Sequence, residues 1–183
     1  MNIPGTLLTA PPSVQHPLFN SASVLITELN PMNTTGLIIN RESRMTLSEF
    51  GERLGFDFDH VPGMLHIGGA ERQTSFSILH SPEWTSHNTF RVNEHFAISS
   101  DNDVLKRFEV GDEPRQWRMF LGMCLWNPGE LENEMNGIGS TRSEINWCTS
   151  TCDPELIFET DLEDIWDAAL ERCSTEFARN FML

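Results

Sequence analysis

The chain has 183 residues, 39% of them apolar, with 27 acidic against 12 basic side chains and a net charge of −15. That length supports one domain with a packed core that needs no disulfide or metal, and the longest apolar run, Met119 to Trp126, is far too short to cross a bilayer. Residues 1–91 carry 8 acids and 5 bases, whereas residues 92–183 carry 19 acids and 7 bases, a field that repels phosphate backbones and argues against direct nucleic-acid binding.

The first 20 residues lack Lys and Arg and hold Pro4, Pro11, Pro12 and Pro17. They do not resemble a secretory signal, so the cytoplasm is the expected location, and Cys124, Cys148, Cys152 and Cys173 are expected as free thiols. Val24–Thr27 and Gly36–Asn40 read as strands joined by the turn-rich Asn30-Pro31-Met32-Asn33. Thr46-Leu47-Ser48-Glu49 forms a capping box that opens a helix stopped by Gly55. Short strands follow at Met64–Ile67, Ser75–His80, Thr89–Val92 and His95–Ile98. Asp101 caps a further helix, which turns Val104, Leu105 and Phe108 inward.

Arg118–Trp126 then reads as a buried central strand in which Gly122 marks close backbone approach. Asn127-Pro128-Gly129-Glu130 is a helix start with Asn127 as N-cap, Glu130 reaching back to it, and Gly137 and Gly139 as stop signals. Leu156-Ile157-Phe158 reads as a last strand. Thr160-Asp161-Leu162-Glu163 is a second capping box, opening a helix with Leu162, Ile165, Trp166, Ala169 and Cys173 at helical spacing. Strands and helices alternate irregularly, which predicts an α+β fold in one domain over 1–183.

Several segments occur together in a distinctive order: Thr6–Ala10, Gly36–Asn40, Ile67-Gly68-Gly69, Leu79-His80-Ser81, Trp126–Glu134, Trp147 and Leu156–Phe158. In this set the chain resembles the YqgE/AlgH family. The resemblance implies a single compact α+β domain, with a branched, mostly antiparallel β-sheet that includes a small barrel and is surrounded by helices. It also implies a transcription-linked regulatory role with no settled activity or cofactor. The chain departs from the family pattern at Ala70, where relatives usually carry proline, and at Cys124 and Cys152, where small residues are usual.

The sequence holds no phosphate-binding Gly-x-x-x-x-Gly-Lys, no Gly-x-Ser-x-Gly elbow and no His-Glu-x-x-His, which favours binding over catalysis and implies no cofactor. Asn40, Gly68, Gly69, His80, Trp126, Gly129 and Glu134 are the candidate ligand-binding residues, on the expectation that the shared segments converge in space. Glu130 and Glu134, four apart on one helix face, are read as capping and structural groups. Cys148, Cys152 and Cys173 lack paired Cys-x-x-Cys spacing, so no metal site is assigned. A thiol-based redox sensor remains an alternative reading of the cysteines. Eight acids and one base occupy Asp153 to Arg172, and Glu163, Asp167 and Glu171 are the candidate contacts for a protein partner of basic character.

Overall fold

The structure, a computed structural model, describes residues 4–136, 138 and 145–181. The chain order is β1 (Thr6–Thr9), β2 (Ser23–Asn30), β3 (Asn33–Ile38), β4 (Glu42–Thr46), α1 (Leu47–Leu54), β5 (Met64–Ile67), β6 (Glu71–His80), β7 (Phe90–Arg91), β8 (Ala97–Ser99), α2 (Asn102–Glu109), β9 (Trp117–Trp126), α3 (Glu130–Met135), β10 (Cys148–Thr151), a π-helical turn (Glu155–Glu159) and α4 (Ile165–Phe181). The strands form one curled sheet in the order β10-β1-β2-β3-β9-β6-β8-β7, with β4 and β5 as a branch. All pairings are antiparallel except β5 with β9. This is an α+β fold whose sheet curls into a half-barrel.

The branch is made at β9. One edge of this strand pairs with β6. Its other edge is shared end to end, by β5 at Phe120 and Leu121 and by β3 at Cys124 to Trp126. Because β5 and β6 lie on opposite edges, the link through Gly68 and Gly69 passes across the backbone of β9, and it does so where Gly122 has no side chain. Gly122 is left-handed, with φ +70°. A Cβ on Gly69 would lie 2.1 Å from the carbonyl carbon of Met123, and one on Gly122 would lie 2.5 Å from the Gly69 oxygen. Both approaches are impossible for any residue with a side chain. The Gly68 N–H donates to Leu121 O at 2.8 Å, and Gly68 O accepts from Ile38 N–H at 2.9 Å, so this residue stitches the two neighbours of β9 together.

Period-two alternation along β1, β2 and β3 sends neighbours to opposite faces of the sheet. Leu7, Leu25 and Leu37 join Phe120, Ile157, Ile165 and Ala169 beneath α4. Leu8, Val24, Ile26 and Ile38 join Trp126, Leu131 and Trp147 on the other side. A third cluster, with Phe50, Phe58, Ile78, Trp84 and Phe108, lies under α1 and α2. Each such side chain, once fully buried, contributes roughly 1.5–3 kcal/mol, and covering both faces removes the need for any covalent staple.

The start signals of α1 and α2 are realised, whereas Asn127 is not the N-cap of α3, a position that Gly129 takes without a side-chain hydrogen bond. Thr46 and Glu49 form the reciprocal capping box of α1, and Gly55 closes that helix in the left-handed region. Asp101 caps α2. Glu130 accepts from the Asn127 N–H at 2.7 Å, although α3 begins only at Glu130, after a left-handed Gly129. Gly137 and Gly139 lie outside the described residues.

Three features differ from expectation. Leu156-Ile157-Phe158 is a π-helical turn, not a strand: the Asp153 carboxylate accepts the Leu156 N–H at 3.0 Å, and a short apolar run fits either conformation. The Thr160 capping box does not form, because the Thr160 N–H and hydroxyl both donate to Glu155 O; α4 starts at Ile165 and leaves Glu163 in the preceding turn. Strand β4, polar and bulged, carries no sequence signal and was not expected.

Candidate functional site

Each candidate ligand residue has a structural role, and none of the seven lines either of the two large clefts. Asn40 spans the turn before β2, accepting from Ser23 N–H and donating to Ser21 O, both at 2.9 Å. Gly68 and Gly69 form the passage over β9. Trp126 donates its indole N–H to one oxygen of Glu134 at 3.0 Å. Trp147 donates to the same oxygen at 3.0 Å. Glu134 is 7% exposed, so α3 uses this carboxylate to hold two indoles together, and the sequence reading missed that partnership because Trp147 lies beyond the loop.

His80 is fully buried. Its Nδ1 faces Ser81 O at 2.8 Å and its Nε2 faces the Ser99 hydroxyl at 2.9 Å. A carbonyl only accepts, so Nδ1 carries the proton and Ser99 donates to Nε2. The network continues through Thr89 to Ser86 and on to Asp101. Burial holds His80 below the ordinary histidine range, which suits a neutral structural imidazole. His66 on β5 lies against Phe120; burial, with Arg118 nearby, lowers its pKa to about 4.

The thiols are suppressed as nucleophiles. Burial raises the pKa of Cys124 strongly and pushes Cys152 up to about 12, while Cys148 and Cys173 are raised by the same cause. Among the described residues the set of three potential ligand groups close enough to share an ion is His87, Asp101 and Asp103, without a cysteine. The Asp101 carboxylate there is already the N-cap of α2. Nor is any helix of the described residues long and apolar enough to cross a membrane.

The acidic C-terminal region has a definite shape. Helix α4 buries Ile165, Ala169 and Cys173 and is pinned by the Trp166 indole donating to Ala10 O at 2.8 Å. Glu163, Asp167 and Glu171 are exposed. The face is not uniformly acidic, because Arg172 and Arg179 border Glu171 and Arg172 pairs with Asp153 at 2.7 Å. Beside α4, strand β10 pairs with β1 and, among the described residues, with no other strand along its second edge. There the Glu176 carboxylate accepts from the Thr151 N–H at 3.1 Å and from its hydroxyl at 2.6 Å. A cleft of about 920 Å³ runs along β10 and α4; Glu94 and Glu176 line it, and among the described residues no Lys or Arg does.

The AlgH-like family model matches residues 7–178. The chain belongs to the AlgH-like family. A UPF0301 protein of Azoarcus sp. strain BH72 is 30% identical over 181 residues, covering 97% of this chain and 93% of its own length. One from Photobacterium profundum is 27% identical, covering 94% and 92%. Among solved structures, the solution structure of AlgH from Pseudomonas aeruginosa has a TM-score of 0.73 at 28% identity, covering 92% of this chain and 87% of that one. A Corynebacterium diphtheriae crystal structure shares the fold with a TM-score of 0.69 at 20% identity, covering 91% and 84%. The AlgH-like fold therefore spans the sheet and both of its helical covers.

Proposed function

We propose that this AlgH-like protein is a non-catalytic adaptor that acts on gene expression through protein contacts, by docking a basic segment of a partner along the open edge of β10 and the adjoining side of α4. The observation that carries this reading is the β10–α4 cleft, which presents carboxylates beside a strand edge that pairs with no further strand among the described residues, and whose described lining holds no Lys or Arg. An extended segment added to that edge beyond Thr151, whose N–H Glu176 already holds, would gain main-chain hydrogen bonds, and its Lys or Arg side chains would meet Glu94 and, further out, Glu163, Asp167 and Glu171. The groups best suited to catalysis support the same reading, since His80 is engaged on both nitrogens and three of the four thiols are buried.

The test is affinity capture from native extract across a salt series, compared with a variant carrying Glu94→Lys, Asp167→Lys and Glu171→Lys. Salt-sensitive capture of a basic protein that the variant loses is the expected result. Capture that is indifferent to both salt and charge reversal, or robust DNA retardation at physiological salt, would refute the reading.

A further inference from the structure

The second large cleft, about 870 Å³, opens on the inner side of the curled sheet between β2, β3, β6 and the helices α1 and α2. Its apolar lining includes Leu37, Met123 and Ile98, with Phe50, Phe76 and Leu105 nearer the helices. Phe90 and Leu54, both of which line it, are 45% and 46% exposed. Large apolar side chains left this open around a concavity of such a size are the usual makings of a small-molecule site.

Two further observations define what would fit. The first is charge. Arg72 and Lys106 both line the cleft, and among the described residues neither forms an ion pair. Among the described residues only Arg107 and Arg172 of the Lys and Arg side chains form ion pairs, so the lack of a partner does not set these two apart; what does is that both line one concavity whose described lining holds a single acid, Glu28. Arg72 is moreover held in the left-handed region at φ +48°, within the irregular stretch of β6 between Glu71 and Phe76; a non-glycine residue there costs about 1 kcal/mol or more, so the surrounding structure imposes that conformation. The acid in the lining, Glu28, already accepts from the Asn30 amide at 2.9 Å.

The second observation is Ser77. It lines the cleft and is 6% exposed as a residue, and its hydroxyl is not among the buried polar atoms left without a partner, which makes it an accessible polar group on the cleft wall. A hydroxyl there offers a bound molecule one hydrogen-bond contact inside an otherwise largely apolar wall.

We infer that this cleft is a binding site for a small amphiphilic anion, an apolar body carrying one carboxylate, phosphate or sulfonate. The body occupies the Leu37–Met123–Ile98 wall, the anionic group meets Arg72 and Lys106 at the mouth, and the Ser77 hydroxyl is within the same lining to contact a polar atom of the ligand. Neither α4 nor β10 contributes to the lining, so this site stands or falls independently of the adaptor reading.

The test uses 8-anilinonaphthalene-1-sulfonate and its uncharged counterpart N-phenyl-1-naphthylamine on the intact chain, with laurate as competitor. Saturable, blue-shifted emission displaced by laurate is expected, with amide chemical-shift changes at Phe76, Ser77 and Met123. In an Arg72→Gln/Lys106→Gln variant the sulfonate should bind about tenfold or more weakly, while the uncharged probe keeps its affinity and circular dichroism confirms the fold. Both residues are exposed, so the variant folds. Equal sulfonate affinity in the variant, shift changes located elsewhere, or failure of both anions to bind at millimolar concentration would overturn the inference. Binding of a carboxylate-terminated peptide where both small anions fail would likewise overturn it and assign the cleft to a protein C-terminus.

Discussion

Glu134 and Trp147 meet across the far side of the α3–β10 connection, a carboxylate oxygen accepting the indole N–H at 3.0 Å, and the same oxygen accepts from Trp126 at 3.0 Å. All three side chains are buried. One acceptor therefore serves two large aromatic groups from separate segments, which makes the carboxylate a structural centre.

Removing it should leave two buried donors unsatisfied. Glu134→Ala is expected to cost roughly 2–4 kcal/mol, and Glu134→Gln, which retains an amide oxygen, about half of that. Urea unfolding followed by tryptophan fluorescence measures both, and equal costs for the two variants would contradict the shared-acceptor geometry.

The passage across β9 predicts contrasting glycine effects. Gly69→Ala places a methyl group against the Met123 backbone and should prevent folding or lower stability by well over about 3 kcal/mol. Gly55→Ala meets nothing within 4 Å and suffers only from its φ of +83°, at a cost of about 1 kcal/mol. Thermal unfolding of the two proteins, with soluble yield for the first, separates the two outcomes.

Stability should fall on acidification before the carboxylates titrate. The folded-state pKa of His66, about 4, lies below the unfolded value of about 6.5. Between these values the unfolded chain binds the proton and the folded chain does not. The contribution of the neutral imidazole is thus complete above about pH 6.5 and is lost as pH drops toward 4, amounting to roughly 3 kcal/mol. His80 is shifted in the same direction, so His66→Phe should reduce the slope of stability against pH in this window without abolishing it. Denaturation midpoints at pH 4.5, 5.5 and 7 suffice for the comparison.

Thiol reactivity should be low and ordered. Cys148 is the half-buried thiol, whereas Cys124, Cys152 and Cys173 are buried. With iodoacetamide at pH 8 the folded protein should be modified first at Cys148, and at the other three on the timescale of unfolding. Peptide mass mapping reads the order; rapid native labelling of Cys152 would restore the sensor alternative.

Asp101 joins two elements through one carboxylate, which accepts from Asp103 N–H, Val104 N–H, Ser86 Oγ–H and Asn88 N–H. Asp101→Ala should therefore exceed an ordinary cap loss, at about 2 kcal/mol. Hydrogen exchange should show α2 and the Ser86–Asn88 loop opening together.

What could be read from the sequence was local. The Thr46–Glu49 box, the Asp101 cap, the Asn127–Glu130 pair and the Asn30–Asn33 turn each depend on residues a few positions apart, so side-chain chemistry and backbone sterics specify them directly. The same reasoning failed at Leu156–Phe158 and Thr160, where Asp153 and Glu155 compete for the backbone and hydroxyl donors and win through geometry that apolar spacing does not encode.

The candidate sites divide along that line. Composition and charge placed the acidity in the C-terminal half and marked Glu163, Asp167 and Glu171, whereas the strand edge of β10 that no other described strand covers and the nearness of Arg179 to Glu171 emerged only from the pairing of β10 with β1 and the docking of α4. Gly68 and Gly69 were visible as a pair, but their partner is Gly122, over fifty residues away. Likewise Ser77, Arg72 and Lys106 have no pattern that unites them along the chain. The physical reason is range: caps and turns are closed by bonds between near neighbours, while clefts and strand crossings form only when the burial of apolar surface brings distant segments together.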